Sequence, residues 1–459
     1  MSLLRRQRPA RFSPPFDRSE RAILRLDADD DCIADNDRDN ARQPSHGCLP
    51  MKRCTLLLSA LALMPALAWA DNAEDILAAH LAGHRDTLEF REGHLVGRGA
   101  ASLLAAARRA QFVLIGEDHG FADVPELALA LQRSLGTDAL PNLVLEVGPY
   151  SADRVENALR QGRDALTALN RDYPFALPFL ALREDGDLAA SFVATQGTHL
   201  WGIDQEFVLS PALHLQTLAD NAKDDAARES IASHQQRVRT RYQLMVKTHD
   251  PSQMPLLTFS DKDFAALTRL VGSEGDRQRV AALADSAAIY RSQNESPFAS
   301  NLARSQLMKR NFMRYYRESA GNPRALFKMG AFHAGRGRSP TGLFDIGNLA
   351  SELAESNGSR SLHILVLAGG GTVNRWLPFE PDDRARSQPY QAREELALYS
   401  ATSLLQAAGD DGIAIFDCEA LRAKPMPKET PAPLRELLYS YDRIVVIATA
   451  RAATNDGLP

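Results

Sequence analysis

Acidic and imidazole side chains follow two short apolar runs of the sequence, at the point where each run ends. The run 112–116 leads into Glu117 and His119 in GEDH, and the run 325–332 leads into His333 in GAFH. A carboxylate beside an imidazole orients the ring and raises its basicity, which lets the imidazole activate water as a general base. The glycine before each histidine would permit a tight turn or a close ligand approach. These segments are the first candidates for a reaction centre.

Further ionisable residues end other apolar runs. Glu146 lies in LVLEVGP and Asp204 in WGIDQEF, while Arg336 follows shortly after GAFH. Burying such groups costs free energy unless they are paired, and a sheet does not need them for stability. We therefore expect Glu117, His119, Glu146 and His333 to be catalytic, with His333 stabilising an oxyanion or holding a metal. Asp204 and Arg336 are expected to bind substrate; for Arg336, plain surface solvation is the alternative.

The elements that must position these residues can be predicted from the hydrophobic pattern. Six apolar runs are typical of buried strands, at 112–116, 142–147, 199–204, 325–332, 362–370 and 441–449. Their hydrophobicity is continuous, which is typical of parallel sheets covered on both faces. Helical patterns lie between them, and Asp123 is expected to cap the first of these, with Glu126 three residues on. The chain is predicted to be an α/β protein with a mostly parallel central sheet flanked by helices.

In open α/β sheets, ligands bind beyond the carboxyl ends of the strands, so the candidate residues should share one crevice. The stretch 207–316 is polar and helix-favouring, and a structureless segment of that length is improbable in a compact domain. We predict a helical insertion that caps the strand ends and forms one wall of the pocket. It would divide the α/β domain into a first part, 71–206, and a second part, 317–459.

The amino-terminal region predicts export. Residues 51–70 have a basic start, an apolar run and an A-x-A ending, as in a cleaved secretory signal peptide. Residues 1–50 would then be either untranslated or a disordered extension. A mature chain from Asp71 would keep only Cys418, which excludes an internal disulfide and gives no lipid anchor. We expect a free periplasmic protein with no membrane anchor.

The formal net charge of -5 is too mild to indicate nucleic-acid binding. There is also no G-x-S-x-G elbow and no phosphate-binding loop. Activated water, rather than a serine nucleophile, is therefore the expected attacking group, acting on a small-molecule or peptide substrate.

The order of these motifs carries a family resemblance. LIGEDHG, LVLEVGP, LWGIDQE and GAFHAGRG followed by FDIGNLASEL resemble the erythromycin esterase, ChaN and Tiki superfamily. RSQLMKRN resembles the R-x-x-x-M-x-x-N helix of the esterase branch, and its spacing places Arg304, Met308 and Asn311 on one helical face. The resemblance implies that Arg304 faces a site built from Glu117, His119, Glu146 and His333, where we expect it to bind substrate.

The branches of the superfamily imply different functions. The esterase branch implies water activation against a macrolide lactone, and the Tiki branch implies a divalent-metal peptidase, for which His119, Glu117 and His333 would be the ligands. The ChaN branch implies haem or small-ligand binding without turnover. The sequence departs from the esterase pattern in two ways. His119 stands one position earlier than the histidine of that pattern, and a single His333 stands where that branch has a histidine pair.

We expect a hydrolase acting on an ester, lactone or amide. The many acids and few aromatic residues near the motifs favour an enzyme over a binding protein or an inactive scaffold. No cofactor is assigned, and a divalent metal remains open.

Overall fold

The computed structural model describes residues 74–136, 139–195, 197, 199–375, 377 and 383–458. The predicted signal peptide and the residues before it lie outside these ranges. A nine-stranded sheet runs through the described chain in the order β2-β1-β10-β11-β7-β3-β6-β4-β5. Its strands are β1 (Arg85–Arg91), β2 (His94–Val96), β3 (Phe112–Glu117), β4 (Asn142–Leu145), β5 (His199–Gly202), β6 (Ala325–Gly330), β7 (Ser361–Ala368), β10 (Ile413–Asp417) and β11 (Arg443–Ile447). A separate two-stranded sheet pairs β8 (Thr372–Asn374) with β9 (Ser387–Pro389).

The six apolar runs form the parallel part of this sheet, from β11 through β7, β3, β6 and β4 to β5. Every residue of β3, β4, β7 and β11 is buried, as expected for strands covered on both faces. The prediction of an α/β fold with a mostly parallel central sheet is confirmed.

The pattern did not predict the antiparallel side of the sheet. β10 pairs antiparallel with β11, β1 with β10, and β2 with β1. β1 has the sequence RDTLEFR, in which only Leu88 is buried. An edge region of this kind exposes most of its side chains, so its sequence lacks the continuous apolar run of the central strands.

Helices cover the sheet and connect its strands. The α-helices are α1 (Arg98–Arg109), α2 (Asp123–Leu135), α3 (Pro149–Leu159), α4 (Arg163–Asp172), α5 (Arg183–Val193), α6 (Pro211–Asp220), α7 (Asp225–Thr248), α8 (Asp261–Leu270), α9 (Glu274–Ser292), α10 (Pro297–Glu318), α11 (Ala331–Ala334), α12 (Ile346–Ser356), α13 (Asp383–Arg386), α14 (Ala392–Glu395), α15 (Thr402–Ala408), α16 (Cys418–Arg422) and α17 (Ala432–Ser440). Residues 74–82 are also helical.

The expected cap of α2 was wrong. Asp123 is the first residue of the helix, and its carboxylate accepts hydrogen bonds from the backbone and side chain of Arg451. Of the helices in the described ranges, none has both the length and the apolarity to cross a membrane.

The stretch 207–316 contains α6 to α9, most of α10, which ends at Glu318, and two short 3₁₀ helices, Pro251–Gln253 and Pro255–Thr258. Its helices enclose an apolar core of their own, which includes Ile231, Leu256 and Leu283. The last helix, α10, joins the main core instead: the ring of Phe312 lies 5.3 Å from that of Phe327 on β6. α10 therefore fixes the helical unit against the sheet.

Candidate functional site

The carboxyl ends of the neighbouring strands β3, β6, β4 and β5 deliver charged residues to one edge of the sheet. Glu117 ends β3, and Glu146 follows β4 directly. Asp204 follows β5, and His333 lies on the short helix after β6. The register places Glu117 beside Gly330, the last residue of β6. The side chains meet because each belongs to the same end of a parallel strand.

Glu117 and His119 form the first carboxylate–imidazole pair. Oε1 of Glu117 lies 2.8 Å from Nδ1 of His119, which fixes the ring and leaves Nε2 directed away from Glu117. Gly330 leaves room for this arrangement, because a Cβ at that position would lie 3.1 Å from Nε2 of His119 and would press on the ring.

His333 and Asp345 form a second pair of the same kind. Oδ2 of Asp345 lies 2.7 Å from Nδ1 of His333. The other oxygen of Asp345 accepts a hydrogen bond from the hydroxyl of Ser305 and from the backbone N–H of Ile346, where it caps α12. Our sequence reasoning did not select Asp345, although it stands in the FDIGN segment of the resemblance. A cap aspartate is a common helix signal, which hid its second contact with an imidazole.

Glu146 lies between the two imidazoles. Nε2 of His119 is 3.5 Å from its Oε2, and Nε2 of His333 is 3.6 Å from its Oε1. The backbone N–H of Gly330 donates to Oε2 at 2.8 Å, and a guanidinium nitrogen of Arg304 donates to Oε1 at 2.5 Å. Two carboxylate–imidazole pairs thus converge on one central carboxylate.

Arg304 connects this centre to the helical unit. Its guanidinium binds both oxygens of Asp204, at 3.0 and 2.7 Å, in addition to Glu146. One helical turn on, Met308 is buried, and the side-chain amide of Asn311 donates to the carbonyl of Ile203 at 2.9 Å. This face of α10 therefore holds the end of β5 and the carboxylates beside it.

The charge balance at this centre decides where protons reside. Burial disfavours the imidazolium of His119, but Glu146 and then Glu117 outweigh burial and raise the pKa of His119 to about 10. Asp345 and then Glu146 raise the pKa of His333 against the same burial penalty. His333, Arg304 and His119 hold the pKa of the Glu146 carboxyl well below its ordinary value, although its burial acts in the opposite direction. His119 is therefore a cation at neutral pH and Glu146 an anion, and the neighbouring carboxylates shift His333 toward its charged form.

An aromatic ring covers one side of His119. Phe179 stacks on the imidazole with 4.0 Å between ring centroids and 20° between planes. Its backbone φ is 62°, a left-handed conformation that is rare for a bulky residue. The stack fixes the plane of the ring and favours its charged form. Phe179 lies sixty positions from His119 in a loop, and no pattern in the sequence links the two.

A buried lysine also reaches the site. Lys328 lies within β6, and its Nζ is 2.5 Å from Oε1 of Glu117 and 2.7 Å from Oδ1 of Asp185. Neither residue was among the predicted site residues. The available signal was a charged side chain inside the otherwise apolar run ALFKMGAF.

Arg336 does not join these residues. Its guanidinium binds both oxygens of Asp442, at 2.8 and 2.7 Å, and the hydroxyls of Ser351 and Ser361. Ser361 begins β7, and Asp442 immediately precedes β11. The structure therefore places Arg336 in an ion pair at the amino ends of those strands, which are the opposite ends from the cluster.

The residues expected to bind a metal are directed at other protein groups. Nδ1 of His119 faces Glu117, Nδ1 of His333 faces Asp345, and both Nε2 atoms face Glu146. Across the part of the chain that the structure describes, no group of three or more His, Cys, Asp or Glu side chains is arranged to hold a metal ion. The set Glu117, His119 and His333 does not fit a metal in this geometry.

Comparison with known proteins agrees with the architecture. The fold is similar to that of a variant of the erythromycin esterase EreC in its open conformation, with a TM-score of 0.50 and 16% identity over 76% of this chain and 93% of that one. The chain has an erythromycin esterase-like fold. A succinoglycan biosynthesis protein gives a TM-score of 0.53 with 11% identity over 83% of this chain and 99% of that one.

A Bacillus cereus protein gives a TM-score of 0.50 with 14% identity over the same shares of both chains, 83% and 99%. No family model matches the chain, and no curated protein matches its sequence. At these identities the similarity is one of fold, so the function has to be inferred from the chemistry of the site.

Proposed function

We propose that this protein is a hydrolase that uses two carboxylate–imidazole pairs to direct water at an ester, lactone or amide. The observation that carries the proposal is the convergence of Glu117–His119 and Asp345–His333 on Glu146. A carboxylate behind each ring sets its orientation, and one ring can accept a proton while the other donates one.

His119 is the better candidate for the base. About 29% of its side chain is exposed, against 9% for His333, so a substrate can reach it more easily. Once His119 is neutral, its Nε2 accepts a proton from water while the water oxygen attacks the carbonyl carbon. Glu117 keeps the proton on Nδ1 and stabilises the imidazolium that forms.

His333 is suited to the opposite role. Asp345 and Glu146 raise the pKa of His333 against its burial, which favours the protonated ring. Nε2–H of that ring can donate a hydrogen bond to the oxyanion of the tetrahedral intermediate. The intermediate collapses when the bond from carbon to the leaving oxygen or nitrogen breaks. The proton on His119 then passes to that leaving atom, which returns His119 to its neutral form.

A haem-binding or other ligand-binding role is the second candidate from the resemblance. An axial imidazole ligand needs a nitrogen directed at open space. Both Nε2 atoms face Glu146 within 3.6 Å, and Phe179 covers one side of the His119 ring. These contacts favour proton transfer over metal or haem ligation.

The predicted signal peptide supports a further part of the proposal, which is that hydrolysis takes place in the periplasm. Residues 51–70 carry the export features, so the natural substrate is expected among small molecules or peptides that reach that compartment.

The test is a panel of esters, lactones and amides assayed with wild-type protein and His119→Ala. General-base loss typically costs about a hundred- to ten-thousandfold in rate, so turnover of any accepted substrate should fall by that factor. The melting temperature at neutral pH is also expected to fall, because the charged ring loses its ion pairs with Glu117 and Glu146. Turnover, and not stability, therefore decides whether His119 is the base.

His199→Ala is the matched control. His199 begins β5, at the opposite end of the sheet from the cluster, and 54% of its side chain is exposed. It should retain full activity. A His119→Ala variant that keeps turnover but melts at a lower temperature would show that the imidazole is a packing group.

A further inference from the structure

Lys328 is a charged residue in the middle of the sheet. Its side chain is 4% exposed, and its strand neighbours Phe327 and Met329 are apolar and buried. An aliphatic residue would fill such a position without the cost of removing an ammonium group from water. The charge is therefore expected to have a purpose other than stability.

The contacts of Lys328 form a chain of alternating charges. Asp185 on α5 binds Lys328 at 2.7 Å, Lys328 binds Glu117 at 2.5 Å, and Glu117 binds His119 at 2.8 Å. Lys328 and His119 share the same oxygen of Glu117, Oε1. The second oxygen, Oε2, is buried and has no hydrogen-bond partner among the described residues. The carboxylate is thus anchored entirely through the oxygen that faces the imidazole.

We infer that Lys328 and Asp185 are positioning residues that keep Glu117 ionised and its Oε1 directed at Nδ1 of His119. A role of Lys328 in catalysis rests on the proposed function. Whether the ionisation of Glu117 depends on Lys328 can be measured independently of turnover.

The electrostatics of the pair agree with this geometry. Burial alone would raise the pKa of Glu117, and Lys328, followed by His119, reverses that shift and lowers it. A protonated Glu117 could not accept the Nδ1–H hydrogen bond of His119 as a carboxylate does, and the ring would lose the partner that orients it. Asp185 supplies the second carboxylate that the buried ammonium contacts, so that Lys328 is held between two anions.

The test uses Lys328→Met, together with Lys328→Met/Asp185→Asn, which leaves no unpaired charge at Asp185 if the single variant folds poorly. The first measurement is nuclear magnetic resonance of protein labelled with ¹⁵N-histidine. In wild type the Nδ1 proton of His119 should give a strongly downfield resonance, and in both variants that resonance should move upfield because Glu117 takes up a proton.

The second measurement is the pH dependence of kcat/KM with a substrate from the panel. At neutral pH the rate should fall about ten- to a hundredfold, by analogy with the outer-shell partners that orient the ligands of metal sites. A new limb should also appear, with activity lost as pH falls through the raised pKa of Glu117.

Arg443→Met is the matched control. Arg443 is a basic residue at the amino end of β11, which is the end of the parallel strands opposite the cluster. Its side chain is 6% exposed and forms an ion pair with Asp417. It should lower stability without moving the His119 resonance or the pH profile.

If the Lys328 variants behave like this control, the positioning role is refuted and Lys328 is only structural. If wild type hydrolyses no substrate, the proposed function fails, and the resonance alone still decides whether Lys328 controls Glu117.

Discussion

The pH dependence of the reaction is the sharpest test of His119 as a base. With its pKa raised to about 10, only ~0.1% of His119 is neutral at pH 7 and ~10% at pH 9. If the neutral ring activates water, kcat/KM should rise about a hundredfold between pH 7 and pH 9, with a slope near one in log units. An imidazole acting as an acid in this step would give a flat profile over the same range.

Glu146→Gln should shift the rising limb of this pH profile, which is the pH range over which kcat/KM increases as His119 loses its proton. Glu146 contributes most to raising the pKa of His119. Its neutral isostere glutamine should therefore shift the pH at which kcat/KM rises toward acid by more than about one unit. Initial rates at constant ionic strength between pH 5.5 and 10, corrected with His119→Ala for background hydrolysis, measure both profiles. Because 29% of the His119 side chain is exposed, water screens the carboxylates. A pKa about one unit below 10 would still give a rise of about fiftyfold between pH 7 and pH 9.

A wild-type profile that stays flat between pH 7 and pH 9, or an unchanged profile in Glu146→Gln, would refute the role of His119 as the base. Stability gives a second check that needs no substrate. The folded pKa of His119 is raised, so its stabilising contribution is fully present below the unfolded pKa of about 6.5. That contribution is lost as pH rises through about 10. The difference in unfolding free energy between wild type and His119→Ala should therefore shrink over this window, by at most ~1.4 kcal/mol per pH unit.

Three further outcomes are expected. Asp345→Asn should lower kcat about a hundred- to ten-thousandfold with a small change in melting temperature, because His333 loses the carboxylate that holds its proton; unchanged kinetics would exclude the second pair from the reaction. Arg336→Ala should cost about 1–3 kcal/mol of stability because it breaks a bidentate pair with Asp442, and a loss of kcat/KM at full stability would restore it as a substrate-binding residue. Mass spectrometry of the native protein should find Asp71 as the first residue, and peptides from residues 5–45 would contradict export.

The sequence was sufficient for the central strands and for the side chains that follow them directly. Continuous apolar runs identify strands buried on both faces, and the rule that ligands bind at carboxyl ends brings Glu117, Glu146 and His333 together without coordinates. The spacing within α10 placed Arg304, Met308 and Asn311 on one helical face, which depends on periodicity that is local in the sequence. The inward direction of Arg304 came from the family resemblance, and its guanidinium lies against Glu146 and Asp204.

Contacts that cross between elements could not be predicted in this way. Asp345 looks like a helix cap, Lys328 looks like an interruption of a strand, and Phe179 lies in a loop with no periodic signal. Arg336 shows the opposite error, since its proximity to His333 in sequence suggested the site, whereas its partner Asp442 lies more than one hundred positions away. Packing decides which pairs of distant charges meet, and this pairing can be read only from the three-dimensional structure.

The strand order has a consequence for how the chain folds. β3 lies between β6 and β7, and both partners follow the helical unit: Phe112 pairs with Ala325 and with Ser361, each more than two hundred positions later. Until these later strands are available, FVLIG has two unpaired edges and is exposed to aggregation. Contacts so distant in sequence also predict slow folding. A fragment that ends before residue 320 would leave β3 without either neighbour.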